Sequence, residues 1–168
     1  MDAMKRNLLL TGAASALAGL FAIGTRRADA VEKKKEEAFE VTHSDEEWRQ
    51  LLGPNRFAVL RREGTERPFS SPLNDEHRAG KFVCAGCKLE LFSSSTKFDS
   101  RTGWPSFWQP LPNAVAEKRD YTLGMPRTEV HCRRCGGHLG HVFNDGPRPT
   151  GLRYCMNGVS LEFVPGPA

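Results

Sequence analysis

The spacing of the cysteines constrains this chain more than any other feature of its sequence. Four of the five cysteines form two Cys-x-x-Cys pairs, Cys84 with Cys87 and Cys132 with Cys135. Each pair supplies two thiolates from one tight turn, and two such turns together provide the four sulfur ligands of a tetrahedral zinc site. We therefore expect one structural Zn²⁺, because four thiolates leave no position open for water or substrate. Two disulfides, or a redox-active Cys-x-x-Cys, are the alternative interpretations.

The fifth cysteine, Cys155, is left over by this pairing. If its neighbours alternate as in a β-strand, Arg153 and Asn157 share its face, whereas Tyr154 and Met156 lie on the other. A guanidinium beside the sulfur favours the thiolate, which is the nucleophilic form, and lowers a pKa that is about 8.5 in an unperturbed cysteine. We interpret Cys155 as a reactive nucleophile, and a buried core thiol is the alternative.

Two other segments carry side chains suited to chemistry. His138 and His141 come shortly before Cys155, on a glycine-rich stretch. Because a site with four thiolates needs no imidazole ligand, we interpret both histidines as proton donors to whatever Cys155 attacks. Trp104 and Phe107 flank a proline in a polar loop, and their composition alone favours a local hydrophobic plug over a pocket wall.

Length and composition limit the fold class and the partners. The 168 residues are enough for one domain whose core needs no disulfides. Short apolar runs, together with 16 glycines and 11 prolines, predict a loop-rich and mainly β domain. The formal net charge of +4 is too small to indicate a nucleic acid or an anionic membrane as the partner.

Before the predicted strands, the sequence indicates two short helices. Ser44 and Glu47 form a capping box, which predicts a helix that ends at Gly53, and a second short helix is expected from Pro54. The residues expected to face the core are Trp48, Leu51, Leu52, Phe57, Val59 and Leu60.

The N-terminal segment has the features of a targeting signal. Lys5 and Arg6 precede an apolar, small-residue run, and Ala28-Asp-Ala30 resembles a cleavage site. We predict a signal peptide at 1–30, a charged linker at 31–43 and the folded domain at 44–166. Export to a bacterial periplasm, by a route of the twin-arginine type, is the expected localisation. An uncleaved membrane anchor and a mitochondrial transit peptide are the alternatives.

Seven sequence blocks follow one another in the order seen in a known family. They are Gly64-Thr-Glu-Arg-Pro-Phe69, Cys84-x-x-Cys87, Gly103-Trp-Pro-Ser-Phe107, Cys132-x-x-Cys135, Gly137-His-Leu-Gly-His-Val-Phe143, Asp145-Gly-Pro147 and Arg153-Tyr-Cys-Met-Asn157. Together they resemble the B-type methionine sulfoxide reductases, and the resemblance runs from about Ser44 to Phe163. It implies a mainly β fold, with two antiparallel sheets in an open barrel-like core, short N-terminal helices and a four-cysteine zinc staple.

The resemblance also implies an activity. These enzymes reduce the R epimer of methionine sulfoxide, in proteins and peptides, to methionine. Carried over to this chain, Cys155 is the nucleophile that becomes a sulfenic acid. His138 and His141 donate protons and bind the sulfoxide oxygen. Arg153 steers the thiolate, and Asn157 lines the site.

Two points of the resemblance concern the Gly-Trp-Pro-Ser-Phe block and the residues just before it. Trp104 and Phe107 become the pocket for the methyl group of the substrate, in place of the plug that composition favours. Many relatives carry a resolving cysteine where this chain has Ser100-Arg-Thr102. We therefore expect an external thiol to reduce the sulfenic acid, a thioredoxin-like protein first and a small thiol second.

Rival functions from other classes stay open at this point. A zinc-ribbon binding module would need the cysteine and histidines only for packing, although the chain lacks the basic stripe that nucleic acid requires. A thiol–disulfide oxidoreductase would use the Cys-x-x-Cys pairs instead of Cys155. Nothing in the sequence requires more than a monomer.

Overall fold

A computed structural model of the protein describes residues 38–122 and 124–168. The predicted signal peptide and residues 31–37 of the predicted linker lie outside the described residues, so both assignments stay predictions. Within the described part of the chain, no helix has both the length and the apolar character needed to cross a membrane.

The helix α1 (Asp45–Leu60) contains both predicted short helices. Gly53 interrupts it with φ 69° and ψ 172°, so the chain turns there and continues from Pro54. The capping box forms as expected, because the Ser44 hydroxyl accepts from the Glu47 amide and the Glu47 carboxylate accepts from the Ser44 amide. Leu51 is 62% exposed, contrary to expectation. It lies about 60° round the helix from Trp48, outside the narrow arc that this short helix buries.

Nine strands within residues 38–122 and 124–168 form two antiparallel sheets. The three-stranded sheet has the order β2-β1-β9, and the six-stranded sheet has the order β3-β4-β8-β7-β6-β5. The strands are β1 (Gly80–Cys84), β2 (Glu90–Ser93), β3 (Lys97–Phe98), β4 (Ser106–Phe107), β5 (Val115–Asp120), β6 (Arg127–Cys132), β7 (His138–Phe143), β8 (Arg153–Met156) and β9 (Leu161–Pro165).

Aromatic side chains join the two sheets. The Phe107 ring of β4 stacks on Phe92 of β2 at 4.3 Å between centroids and meets Phe82 of β1 edge-on at 4.9 Å. All three side chains are fully buried, and each contributes about 1.5–3 kcal/mol by leaving water. The predicted mainly β fold with two antiparallel sheets is therefore confirmed, and the sheets do not close into a barrel.

The two Cys-x-x-Cys turns have the same backbone geometry, and each follows a strand that ends at its first cysteine. β1 ends at Cys84 and β6 ends at Cys132. The carbonyl of Cys84 accepts from Lys88 N at 2.8 Å, and that of Cys132 accepts from Gly136 N at 2.9 Å. The residue after each second cysteine is left-handed, with φ 61° at Lys88 and 67° at Gly136. The same backbone turn thus occurs twice.

Residues just before α1 contact the second of these turns. Val41 N donates to the Arg134 carbonyl at 3.1 Å, and the Phe39 ring lies edge-on to His131. The Phe39 ring also covers Gly136, where a Cβ atom would come within 2.4 Å of it. The start of the folded domain predicted at Ser44 stays a prediction. Phe39 and Val41, which precede it, pack against the second Cys-x-x-Cys turn.

Candidate active site

Four cysteine sulfurs form a compact cluster. Sγ of Cys84 lies 3.7 Å from that of Cys135, Sγ of Cys87 lies 3.5 Å from that of Cys132, and all four fall within 4.8 Å of one another. Bonds of about 2.3 Å from a tetrahedral Zn²⁺ would place its sulfurs about 3.8 Å apart, so the donor set fits this metal. A disulfide requires a distance of about 2.05 Å between its two sulfur atoms, and none of the five cysteines is in a disulfide.

Strand β8 carries Cys155 between two neighbours. Cys155 is opposite Ser106 of β4 on one side and His141 of β7 on the other. Tyr154 and Met156 are buried in the core, whereas Cys155 is only partly buried. The alternation expected from the sequence is therefore present, and it places the sulfur outside the core.

The close approach of β7 and β8 depends on a glycine. A Cβ atom on Gly140 would lie 2.1 Å from the Cys155 carbonyl oxygen, so any side chain at this position would clash with β8. Gly140 thus lets the strand carrying His141 lie directly against the strand carrying Cys155.

A small pocket of about 130 Å³ opens at the sulfur. Trp104 forms one wall, and its indole Nε1 donates to the Glu66 carbonyl at 3.2 Å, which fixes the ring. The residues that line the pocket are Thr65, Trp104, Arg127, Gly140, His141, Phe143, Cys155 and Asn157.

The His141 imidazole belongs to a network that the sequence did not reveal. Its Nε2 lies 2.7 Å from Oδ2 of Asp120, which also accepts from Arg127 at 2.6 Å. Oδ1 of Asp120 accepts from the amide and the hydroxyl of Thr122 at 2.9 and 2.7 Å. The hydrogen bonds from Thr122, and then the one from His141, hold the pKa of Asp120 well below its usual range. Burial lowers the pKa of His141, and Asp120 partly opposes this effect.

The second histidine lies behind the first. His138 is buried, and its Nδ1 lies 2.7 Å from Glu129, which also binds Lys118 at 2.8 Å. Burial raises the pKa of Glu129, but the hydrogen bonds with His138 and Lys118 outweigh it and keep the pKa below its ordinary value. The imidazoles of His138 and His141 are 5.5 Å apart, although His138 does not line the pocket.

Arg153 lies on the same face of β8 as Cys155. Its guanidinium donates two hydrogen bonds of 2.8 Å to Asp145 and stacks over the Phe143 ring at 4.4 Å. The hydrogen bonds with Asp145 raise the pKa of Arg153, and its proximity to Cys155 raises it further. The cation expected beside the sulfur is therefore present and held in place.

Asn157 lines the pocket with an amide that is already engaged. Its Oδ1 accepts from Glu66 N at 3.0 Å, and its Nδ2 donates to the Leu139 carbonyl at 3.1 Å. The Glu66 carboxylate in turn accepts from the amides of Gly158 and Val159. These contacts fix the turn that follows β8, so Asn157 shapes the pocket wall.

One residue expected at the pocket lies elsewhere. Phe107 was predicted to line the pocket with Trp104, but its side chain is fully buried between Phe82 and Phe92. Alternation explains the correction: Ser106 is opposite Cys155, so its neighbour Phe107 faces the core with Tyr154. The second aromatic wall is Phe143.

Sequence reasoning also missed Phe143, Asp120 and Arg127. Strand alternation could have identified Phe143, because it follows His141 by two residues in β7 and shares its face. Asp120 and Arg127 are opposite each other in the β5–β6 hairpin, and only the register brings them to His141.

The arrangement has the elements of nucleophilic catalysis on a small substrate. A thiol beside a cation provides the nucleophile, an imidazole across the same pocket provides a proton, and two aromatic rings provide an apolar wall. The pocket is far smaller than the roughly 300–1,000 Å³ that bind cofactors and drug-sized ligands. It suits the end of one uncharged side chain.

Comparisons with known proteins agree with this geometry. Residues 52–165 match the model of the SelR domain. The chain is 54% identical over 126 residues to peptide methionine sulfoxide reductase MsrB of Leptospira interrogans, covering 74% of this chain and 96% of the relative. It is 57% identical over 126 residues to MsrB of Bradyrhizobium diazoefficiens, covering 74% and 91%. For MsrB of Agrobacterium fabrum the identity is 55% over 126 residues, covering 74% and 93%. The chain therefore belongs to the SelR family, the B-type methionine sulfoxide reductases.

Proposed function

We propose that this protein reduces the R epimer of methionine sulfoxide, in proteins and peptides, to methionine. One observation carries the proposal: Cys155, the only cysteine outside the four-sulfur cluster, lies in a small pocket that it shares with His141 and Trp104. The relatives named as peptide methionine sulfoxide reductases support the same substrate class.

The shape of the pocket suits a methyl sulfoxide. Trp104 and Phe143 offer apolar surface to the methyl group, while His141 offers a hydrogen-bonding group to the oxygen. Separate sites for methyl and oxygen would fix the handedness at sulfur, which is the basis for proposing one epimer.

The reaction needs a thiolate and an acid at one S–O bond. The Cys155 thiolate attacks the sulfoxide sulfur while the oxygen receives a proton, since a protonated oxygen makes that sulfur electrophilic. The oxygen then passes to Cys155, so methionine leaves and the cysteine is oxidised to a sulfenic acid. One sulfur gains the two electrons that the other loses.

His141 is the proposed acid, and Asp120 is its positioning residue. A carboxylate at Nε2 stabilises the imidazolium and directs the other ring nitrogen away from itself. His138, oriented by Glu129, is proposed as a second imidazole from which His141 regains its proton. Arg153 stabilises the thiolate before attack.

A structural Zn²⁺ on Cys84, Cys87, Cys132 and Cys135 is the proposed cofactor. Four thiolates fill a tetrahedral coordination sphere, so the ion would hold two turns together and take no part in the reaction. The turns end strands β1 and β6, which belong to different sheets.

The reductant is proposed to be an external thiol. Four of the five cysteines belong to the metal cluster, and position 102, beside Cys155, is a threonine. An internal disulfide would therefore dismantle the cluster. A thioredoxin-like protein is the first candidate for this reductant and a small thiol is the second. The protein itself is proposed to be a monomer. Export through the predicted signal peptide is proposed from the sequence alone.

The test is turnover of separated R and S epimers of a methionine sulfoxide peptide, with dithiothreitol as donor. The parent protein should reduce the R epimer alone, and Cys155→Ser should lose the activity while keeping its zinc. Equal use of both epimers, or full activity in Cys155→Ser, would refute the proposal. A zinc-ribbon module would show no turnover, and an oxidoreductase would retain disulfide exchange after the substitution.

A further inference from the structure

Three hydroxyl groups form a chain that ends at the reactive sulfur. Thr102 Oγ1 lies 3.7 Å from Cys155 Sγ, and Ser100 Oγ lies 2.8 Å from Thr102 Oγ1. Ser106 Oγ lies 2.7 Å from Ser100 Oγ and 3.1 Å from the Trp104 carbonyl oxygen. The chain therefore joins a backbone acceptor at one end to the sulfur at the other.

The backbone of the loop brings these groups into line. Arg101, between Ser100 and Thr102, has φ 59°, and Gly103 has φ 93°. Ser106 is fully buried and directly opposite Cys155 in the sheet, so it anchors the chain from within the protein.

The hydrogen bonds in this row of hydroxyl groups can point in either direction. Each hydroxyl has one proton to donate. When Cys155 is a thiol, it can donate to Thr102, Thr102 to Ser100, Ser100 to Ser106, and Ser106 to the Trp104 carbonyl. Every proton in the row then has an acceptor.

When Cys155 is a thiolate, the sulfur accepts and the row reverses. Ser106 donates to Ser100, Ser100 to Thr102, and Thr102 to the sulfur. The reversal requires only rotation of three hydroxyls. Its one loss is the hydrogen bond to the Trp104 carbonyl, and its gain is a charge-assisted hydrogen bond to the sulfur.

We propose that Thr102 is a catalytic residue whose hydroxyl donates to the Cys155 thiolate, with Ser100 and Ser106 as positioning residues that let the donation reverse. The inference deepens the proposed function and rests on it for its biological purpose. Arg153 acts on the same sulfur but shares its charge with Asp145 through two hydrogen bonds. A neutral donor in direct contact is thus a separate source of thiolate stabilisation.

Alkylation of Cys155 by iodoacetamide in the zinc-loaded protein tests the inference. The thiolate is the form that reacts, and the cysteines of the metal cluster serve as an internal reference in peptide mass spectrometry. At pH 7, Thr102→Val should slow alkylation about tenfold, the factor expected of a weak hydrogen bond to a charged group. Its rate profile should also move to higher pH.

Two variants separate donation from packing. Thr102→Ser keeps the hydroxyl and should alkylate at the parent rate, whereas Ser100→Ala breaks the chain and should give an intermediate rate. An unchanged rate in Thr102→Val, or equal slowing in Thr102→Ser and Thr102→Val, would overturn the inference. Because alkylation needs no sulfoxide, its outcome is independent of whether the R epimer is turned over.

Discussion

Replacing the carboxylate of Asp120 tests whether His141 is the acid that protonates the sulfoxide oxygen. In Asp120→Asn the side chain keeps its shape but has one acceptor oxygen in place of two. If that oxygen faces His141 and Arg127, the amide group meets the Thr122 amide N–H, and two donors oppose each other. If the side chain is turned round, the amide group meets Arg127. In either orientation the imidazolium loses its anionic partner.

The size of the effect follows from the burial of the pair. The side chains of His141 and Asp120 are only 12% and 9% exposed, so solvent screens their interaction weakly. A hydrogen bond to a charged group in such a place contributes about 1.5–3 kcal/mol. Since about 1.4 kcal/mol is a factor of ten, we expect the reductive step to slow about 10- to 100-fold.

The assay is a single turnover of the R-sulfoxide peptide without donor, followed across about pH 5.5 to 8. Burial lowers the pKa of His141 below its ordinary value of 6.5, so the imidazolium is lost as the pH rises through that lowered value. The rate should therefore fall on the alkaline side of that pKa. In Asp120→Asn this fall should begin at lower pH, because the anion no longer raises the His141 pKa.

A matched control lies on the same strand. Glu117→Gln makes the same change of carboxylate to amide, at a residue that contacts Tyr154 and not the pocket. Its rate should stay within about twofold of the parent, as expected for an exposed side chain. A parental rate and pH profile in Asp120→Asn would refute the assignment of His141 as an acid positioned by Asp120.

Three further predictions concern stability and the pocket. Replacing Cys84 with Ser, or removing the metal with a chelator, should lower the melting temperature by more than about 10 °C, measured by circular dichroism with metal analysis. Phe107→Ala should reduce the free energy of unfolding by about 3–5 kcal/mol, because its ring is in the core. Phe143→Ala should chiefly raise the KM for the sulfoxide. If Phe107→Ala raised the KM and Phe143→Ala lowered the stability instead, Phe107 would be the pocket residue. Because the folded-state pKa of Asp120 is depressed, its stabilisation is complete above its unfolded value near 3.8 and disappears as the pH falls through the lower folded value. The Asp120→Asn protein should accordingly lose less stability than the parent in acid unfolding.

Features set by short-range rules could be predicted from the sequence. The pairing of four cysteines follows from ligand spacing, and the two faces of β8 follow from strand alternation around Cys155. The helix start at Ser44 follows from a local hydrogen-bond exchange with Glu47. Each of these rests on residues within a few positions of one another.

What escaped prediction depends on register and on the width of buried faces. Asp120 reaches His141 because β5, β6 and β7 are paired in one particular register, which no local pattern specifies. Leu51 is exposed because α1 buries only a narrow arc. Phe107 lies in the core because Ser106 is paired with Cys155, and the family resemblance that placed Phe107 in the pocket does not show this register.

The central claim is that Cys155 takes the oxygen atom from the sulfoxide. The most direct measurement is one turnover of the R epimer without donor, in the presence of dimedone, followed by mass spectrometry and metal analysis. We predict one methionine released per chain, one dimedone adduct on Cys155 and full retention of zinc. Methionine release with the adduct on a cysteine of the metal cluster, or with an internal disulfide and loss of zinc, would contradict the account.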